Sequence, residues 1–318
     1  MEKVLLGNTG ITVSRAGFGV LPMGPSQLAL PVDEGAAIIR YAYQHGINFI
    51  DTAQYYRAYP YISRALEQGG MEGLVICSKS LAADYDGMME AILEAREVLH
   101  RDVIDIFLMH EVRSGQLEER AAAWQALQDA KAKGLVRAIG LSTHHVDITQ
   151  AAASMAELDV VFPLINYAGL GIRKGNAFAT REEMMAAIAA CHAAGKGIFS
   201  MKAFGGGSLT AQYQEALDYI FAQEEIDSVM IGFGKIAEVD DLLSYLDGSM
   251  PKDYNPDVSK KKVYINQEDC EGCGSCKAAC PAGAIHWNEI GLAEVDHEKC
   301  LTCGYCSPVC PVRAVIMY

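Results

Sequence analysis

Cys270-Glu271-Gly272-Cys273-Gly274-Ser275-Cys276-Lys277-Ala278-Ala279-Cys280-Pro281 recurs near the end of the chain as Cys300-Leu301-Thr302-Cys303-Gly304-Tyr305-Cys306-Ser307-Pro308-Val309-Cys310-Pro311. The spacing C-x-x-C-x-x-C-x-x-x-C-P is written twice and holds eight of the ten cysteines. Thiolates at i, i+3 and i+6 can wrap one face of a cubane, while the fourth points away and, in a paired arrangement, ligates the other cluster. Cys270, Cys273, Cys276 and Cys310 are therefore expected around one [4Fe–4S] cluster, and Cys300, Cys303, Cys306 and Cys280 around a second. Zinc knuckles fit less well, because zinc sites join a C-x-x-C to a distant second pair. A disulfide scaffold would need an oxidising compartment. Setting this stretch aside divides the chain, since what precedes it has the length of one (β/α)₈ barrel, about 250 residues.

The tail resembles a bacterial-type two-[4Fe–4S] ferredoxin, which implies a small α+β domain and electron transfer. Its two halves each follow a cysteine loop with a short apolar strand, Ala284 to Trp287 and Ala314 to Met317. Ahead of it, Ser249-Met250-Pro251-Lys252-Asp253-Tyr254-Asn255-Pro256-Asp257 has two prolines and no periodicity, the mark of a boundary. The expected organisation is a barrel over 1–248, a linker over 249–262 and the cluster domain over 263–318.

Half of the 318 residues are hydrophobic, and no apolar run is long enough to cross a bilayer. The first residues, Met1 to Gly7, are too quickly interrupted for a secretory segment. With the thiolate ligands, this leads to the expectation of a reducing cytoplasm. A formal charge of −14 argues against nucleic acid. The one basic run, Lys260-Lys261-Lys262, reads as a solvated hinge.

Between residues 16 and 248 short β-branched runs alternate with helical stretches, the pattern of a parallel sheet wrapped by helices. Lys3 to Ser14, turning at Gly7-Asn8-Thr9-Gly10, reads as a β-hairpin ahead of it. Eight strands are expected at Ala16 to Val20, Ile47 to Thr52, Leu74 to Ser78, Ile104 to His110, Arg137 to Ser142, Val160 to Asn166, Gly197 to Lys202 and Ser228 to Gly232. The fourth helix is expected to run unbroken from Leu117 to Lys133 and to stop at Gly134.

Active sites of such barrels lie at the C-terminal strand ends. Asp51 ends the second strand and Tyr56 follows it, Lys79 ends the third and His110 the fourth. A carbonyl chemistry needs a proton donor, a cation to tune it, a carboxylate to hold the cation and a neutral hydrogen-bond donor; Tyr56, Lys79, Asp51 and His110 supply these in order. Any one alone would read as a strand cap; together they read as a site.

Phe49-Ile50-Asp51-Thr52-Ala53-Gln54-Tyr55-Tyr56, Ser78-Lys79, Leu108-Met109-His110 and Gly134-Leu135-Val136-Arg137-Ala138-Ile139-Gly140-Leu141-Ser142 resemble the aldo-keto reductases over about residues 1–248. The resemblance implies Tyr56 as general acid, Lys79 and Asp51 as its tuning pair, His110 as the group that orients the carbonyl, and NAD(P)H as hydride donor. It also implies cofactor contacts at the later strand ends. Ser142 would hold the carboxamide, with Asn166 standing in for a glutamine and Met201 for a stacking aromatic beside Lys202. Gly205-Gly206-Gly207-Ser208 is either a pyrophosphate cradle or a flexible hinge. After the eighth strand, in the stretch that begins at the candidate Gly232, Gly234 and Glu238 fall at the 2′-phosphate positions, and Lys235 is the one basic residue. Glu238 beside that position would repel a 2′-phosphate, so NADH is favoured over NADPH.

Two readings of function come from these residues. One is a nicotinamide-dependent oxidoreductase that reduces a small aldehyde or ketone beside iron–sulfur electron transfer. The other is an electron-transfer protein, serving a redox partner, whose barrel is a docking or regulatory scaffold with a vestigial tetrad. Clusters acting only as folding staples are a third, structural, alternative. A cubane passes one electron and a nicotinamide a hydride, so a flavin in the barrel or on a partner remains open as converter. With the tail in place of a C-terminal barrel loop, the tail is expected at the barrel mouth.

Overall fold

The computed structural model describes residues 1–256, 262–302, 304–312 and 314–317. Part of the expected linker and hinge, and Cys303, lie outside the described residues. A hairpin of β1 (Lys3–Leu5) and β2 (Thr12–Ser14) precedes the barrel strands β3 (Ala16–Gly19), β4 (Phe49–Asp51), β5 (Val75–Ser80), β6 (Ile104–Met109), β7 (Val136–Thr143) and β8 (Val160–Pro163). A small hairpin follows, β9 (Arg173–Lys174) with β10 (Ala177–Phe178), then the barrel strands β11 (Gly197–Ser200) and β12 (Ser228–Gly232). The eight barrel strands pair in parallel and close through β12 against β3.

Alternation along each strand sorts side chains between two cores. Phe49, Val75, Cys77, Ile106, Leu108, Phe162 and Phe199 fill the barrel interior together with Leu6, Ile11 and Val13 of the hairpin. Ile50, Ile76, Phe107 and Ile139 point outward into the helical layer. The Phe199 ring stacks on Phe162 at 4.3 Å and meets Phe49 edge-on at 5.0 Å. The hairpin floors the N-terminal end, with Asn8 N–H donating to the Gly195 carbonyl and Gly7 N–H to Asp227 Oδ2. The same alternation that buries Phe49, Cys77 and Leu108 carries Asp51, Lys79 and His110 inward at the opposite, C-terminal end.

The helices are α1 (Val32–Gln44), α2 (Tyr59–Glu67), α3 (Tyr85–Val98), α4 (Gln116–Glu119), α5 (Ala121–Ala132), α6 (Val146–Ala152), α7 (Arg181–Ala193), α8 (Tyr213–Phe221) and α9 (Ile236–Leu246). Asp84 caps α3, and Thr180 with Glu183 forms a capping box on α7. The expected single fourth helix is instead α4 and α5, broken at Arg120, whose buried guanidinium turns in under the barrel rim. Several strands are shorter than the sequence suggests. β8 stops at Pro163 and β11 at Ser200, with only the isolated Leu164–Met201 bridge beyond.

The tail is two small antiparallel ladders, β13 (Val263–Ile265) with β16 (Val315–Met317) and β14 (Ile285–Trp287) with β15 (Ala293–Val295), plus a short helix α10 (Ser275–Ala279). Val263, Ile265, Ile285, Ala314 and Val315 share one small core with Cys276, Cys306 and Cys310. The near part of the linker lies on the barrel, where Tyr254 meets the Tyr213 ring edge-on at 5.5 Å. Among the described residues no helix is long and apolar enough to cross a membrane.

Candidate active site and cluster sites

Lys79 is fully buried at the end of β5. Its Nζ donates to Asp51 Oδ1 and to the Thr52 carbonyl, both at 2.6 Å. Burial pushes the Asp51 carboxyl up against the pull of Lys79. Tyr56 follows β4 on a 3-10 turn, and its hydroxyl lies 3.4 Å from His110 Nε2. Lys79 Nζ sits 5.0 Å from the centre of the Tyr56 ring. The ammonium donates to Asp51 and Thr52, and burial together with Asp51, Glu111 and Asp269 holds the Tyr56 phenol well above its usual value.

His110 is pushed well below the usual imidazole range by burial, then by Lys79, Arg120 and Lys202. A neutral ring suits a hydrogen-bond donor to a carbonyl. Its Nδ1 meets no partner among the described residues. Arg120 escapes the sequence reading, yet its guanidinium donates to the carbonyls of His110 at 2.8 Å, Ser80 at 3.1 Å and Ala82 at 3.2 Å. It ties together the chain ends that follow β5 and β6. A signal was present: Arg120 falls in helical register with Ala123, Leu127 and Ala130, on the face that is buried.

The residues expected to hold a nicotinamide dinucleotide do gather at the ends of β7, β8, β11 and β12, but most are engaged within the protein. Ser142 Oγ accepts from Glu111 N–H at 2.8 Å. The buried Asn166 amide closes its own loop, donating to the Leu170 carbonyl at 3.0 Å and accepting from Leu170 N–H at 2.9 Å. Met201 packs against the barrel interior, and Lys202 follows it in a left-handed conformation, φ +60°. Gly232 is exposed at the end of β12 beside Pro22. Lys235 lies 3.9 Å from Glu238 Oε1, and Glu238 Oε2 accepts from Gly234 N–H at 2.7 Å. Gly205 and Gly206 adopt positive φ in a 3-10 turn with Gly207. A Cβ on Gly207 would lie 2.0 Å from the Met317 carbonyl oxygen. The glycines thus admit the backbone of β16. With the tail in this position the residues present do not fit a dinucleotide.

The tail sits on the mouth. Asn266 Nδ2 donates to the Tyr55 hydroxyl at 2.9 Å, Arg57 pairs with Glu268 at 3.8 Å, and Arg113 with Glu271 at 3.0 Å.

Within the tail, a cavity is lined by Cys280 of the first repeat together with Cys300 and Cys306 of the second, and by Val263, Ile285 and Val295. Burial pushes the Cys276 thiol up, and Cys310, Cys270 and Cys273 around it add to the effect. Each fourth cysteine therefore neighbours the other repeat's loop, the donor set and apolar surroundings that suit two cubanes. Among the described residues no group of three or more His, Cys, Asp or Glu side chains is arranged to hold a single metal ion. Cys77 and Cys191 are buried thiols apart from the cluster loops, and Cys77 lies beside Asp51.

The sequence model of the aldo/keto reductase family matches residues 16–230, and that of a 4Fe-4S dicluster domain matches residues 263–317. L-galactose dehydrogenase of Arabidopsis thaliana is 24% identical over 285 residues, covering 76% of this chain and 86% of its own. D-threo-aldose 1-dehydrogenase of a Pseudomonas species is 25% identical over 186 residues, 48% of this chain and 56% of its own. A holo-form aldo-keto reductase structure from Bacillus halodurans superposes with a TM-score of 0.64 at 17% identity, over 78% of this chain and 91% of its own.

Proposed function

From the premise that the chain belongs to the aldo/keto reductase family and is an oxidoreductase carrying a 4Fe-4S dicluster domain, we propose that its barrel interconverts a small carbonyl compound and the corresponding alcohol. Tyr56 exchanges the proton at the carbonyl oxygen. The observation that carries this reading is the Tyr56 hydroxyl 3.4 Å from a neutral, buried His110, above the Lys79–Asp51 pair. The two groups converge where one oxygen can accept from both. Such paired donors favour the oxygen as negative charge develops on it. Lys79 and Asp51, mutually neutralised and buried, form the platform that fixes the Tyr56 ring.

The hydride source is taken from the family resemblance. NADH is preferred to NADPH because the Glu238 carboxylate stands at the N-terminus of α9. In the docked arrangement the tail leaves it no place. In the tail, Cys270, Cys273, Cys276 and Cys310 would hold one [4Fe–4S] cluster, and Cys280, Cys300, Cys303 and Cys306 the other. Bound clusters supply one-electron relay. The domain boundary is placed within 249–262, and the thiolate chemistry suits a reducing, cytoplasmic setting. The test is turnover of a panel of aldehydes and sugars with NADH and NADPH by the iron-loaded protein, repeated with Tyr56→Phe. Undiminished turnover by the variant removes Tyr56 from the reaction.

A further inference from the structure

We infer that the face around Cys273, formed with Trp287 and Ile290 of the β14–β15 hairpin, is where a one-electron carrier protein with a basic contact surface docks and exchanges electrons with the first cluster. The inference rests on the cluster reading above and adds the partner of that site.

Among the described cysteines Cys273 alone is exposed, while Cys270 is half-buried and Cys276 and Cys310 are buried. The glycines on either side of it set its neighbours. A Cβ on Gly272 would lie 2.7 Å from the Gly291 carbonyl oxygen, and one on Gly274 would lie 3.2 Å from the Trp287 ring. The loop therefore runs close along the hairpin and carries Cys273 at the surface between the two contacts. Trp287 is 40% exposed, and Ile290 in the hairpin turn is 76% exposed. Lys277 Nζ stands 5.2 Å from the centre of the Trp287 ring. The start of the same loop meets the barrel instead. Glu271 pairs with Arg113 at 3.0 Å, and Cys270 N–H donates to the carbonyl of Asn266, whose side chain bonds Tyr55. The first cluster would thus stand between the barrel rim and an apolar surface open to solvent.

The chemistry of the site says what covers this surface. A cubane exchanges one electron at a time, and tunnelling falls steeply with distance, so a partner's redox centre must approach where a ligand sulfur reaches the surface. Electron-transfer encounters use small interfaces, with aromatic and aliphatic side chains at the centre and a polar rim. Trp287 and Ile290 supply such a centre, and the exposed Glu289 and Glu294 lie on the same hairpin. Residues 263–318 hold seven Asp or Glu against three Lys or Arg, within a chain of formal charge −14. That field draws in a basic surface and repels a second copy of this chain. In the hand-off the reduced cluster loses one electron and the carrier's centre, such as a ferric haem, gains it; no proton moves and no bond breaks. The second repeat also shows apolar side chains to solvent, Leu301 at 70% and Tyr305 at 63%. The described cysteines beside them, Cys280, Cys300 and Cys306, are half-buried or buried.

The experiment mixes the full, iron-loaded chain, reduced with dithionite and desalted, with ferricytochrome c, a basic haem protein, in stopped flow. Calorimetric titration of the oxidised chain with the same cytochrome reads docking alone. Trp287→Ala/Ile290→Ser should bind at least about tenfold more weakly and reduce the cytochrome correspondingly more slowly, with iron content and the EPR signals of both clusters unchanged. Ile290→Ser alone, at an exposed position, should show a smaller loss in the same direction and keeps the test open if the double variant misfolds. Leu301→Ser should match the wild type, and added salt should slow the wild-type reaction. Wild-type binding and rates in both Ile290 variants, a loss confined to Leu301→Ser, or a reaction that salt accelerates overturns this face and leaves the clusters standing. Self-association of the wild type that Ile290→Ser abolishes gives the face to a second copy and likewise overturns it. Absence of cluster EPR signals from the iron-loaded wild type overturns the cluster reading and the face together.

Discussion

Asn266 donates one side-chain amide to two acceptors, the Tyr55 hydroxyl at 2.9 Å and Asp269 Oδ2 at 2.8 Å, and so joins the tail to the residue beside Tyr56. Its backbone also belongs to the tail, bonding Ala314 at 2.8 Å and accepting from Cys270 N–H at 3.0 Å. Asn266→Ala leaves both acceptors without this donor and should cost about 1–3 kcal/mol. Tyr55→Phe should cost less, since Asn266 keeps Asp269. Denaturant midpoints of the iron-loaded proteins rank the two, and the opposite order would contradict this role for Asn266.

Tyr56→Phe should lower kcat by about 10²–10⁴ fold. Its stability should hardly change, because the hydroxyl has one long bond, 3.4 Å to His110. Steady-state kinetics alongside thermal unfolding separates the two effects.

Lys79→Ala abandons the buried Asp51 carboxylate and should destabilise the barrel by about 3–5 kcal/mol. A double change, Lys79→Met with Asp51→Leu, removes both charges and should recover much of that loss while remaining inactive. Urea unfolding of the pair of variants decides it.

His110 is held neutral in the fold, while an exposed imidazole titrates near 6.5. Below that pH the unfolded chain binds the extra proton and the folded chain does not. This contribution to stability is therefore complete above about pH 6.5 and is lost as the pH falls below it. His110→Gln should flatten the decline in denaturation midpoint between about pH 6.5 and 5; an unchanged slope would show that His110 already protonates in the fold.

Cys280→Ser should abolish the same cluster as Cys300→Ser and spare the one lost in Cys270→Ser, with about half the iron remaining in each case. Iron assay and low-temperature EPR of the three variants test the crossed ligand sets. Removing iron altogether should unfold the tail, whose core is built around Cys276, Cys306 and Cys310, and leave the barrel transition in place.

Asp51, Lys79 and His110 are legible in sequence because a period of two decides which side of a strand each occupies, and the hydrophobic residues before them fix the phase. The cysteine loops are legible because cluster geometry is written in local spacing. Strand ends are less so: Leu164 and Ile165 are as apolar as Val161 and Phe162, and only the pairing with β11 shows where β8 stops. Arg120, Glu238 and Met317 act through partners distant in the chain or through closure of a turn. No composition or period records that an arginine turns beneath the rim, that a glutamate answers its own helix end, or that a final strand lies on three glycines. A glycine run states that something comes close without stating what.

The hairpin floor has a kinetic meaning. Leu6, Ile11 and Val13 plug the barrel from below, so reactant and product share a single doorway at the opposite end. Whatever reaches Tyr56 must pass the rim that the tail borders, so product has to leave before the next reactant can enter.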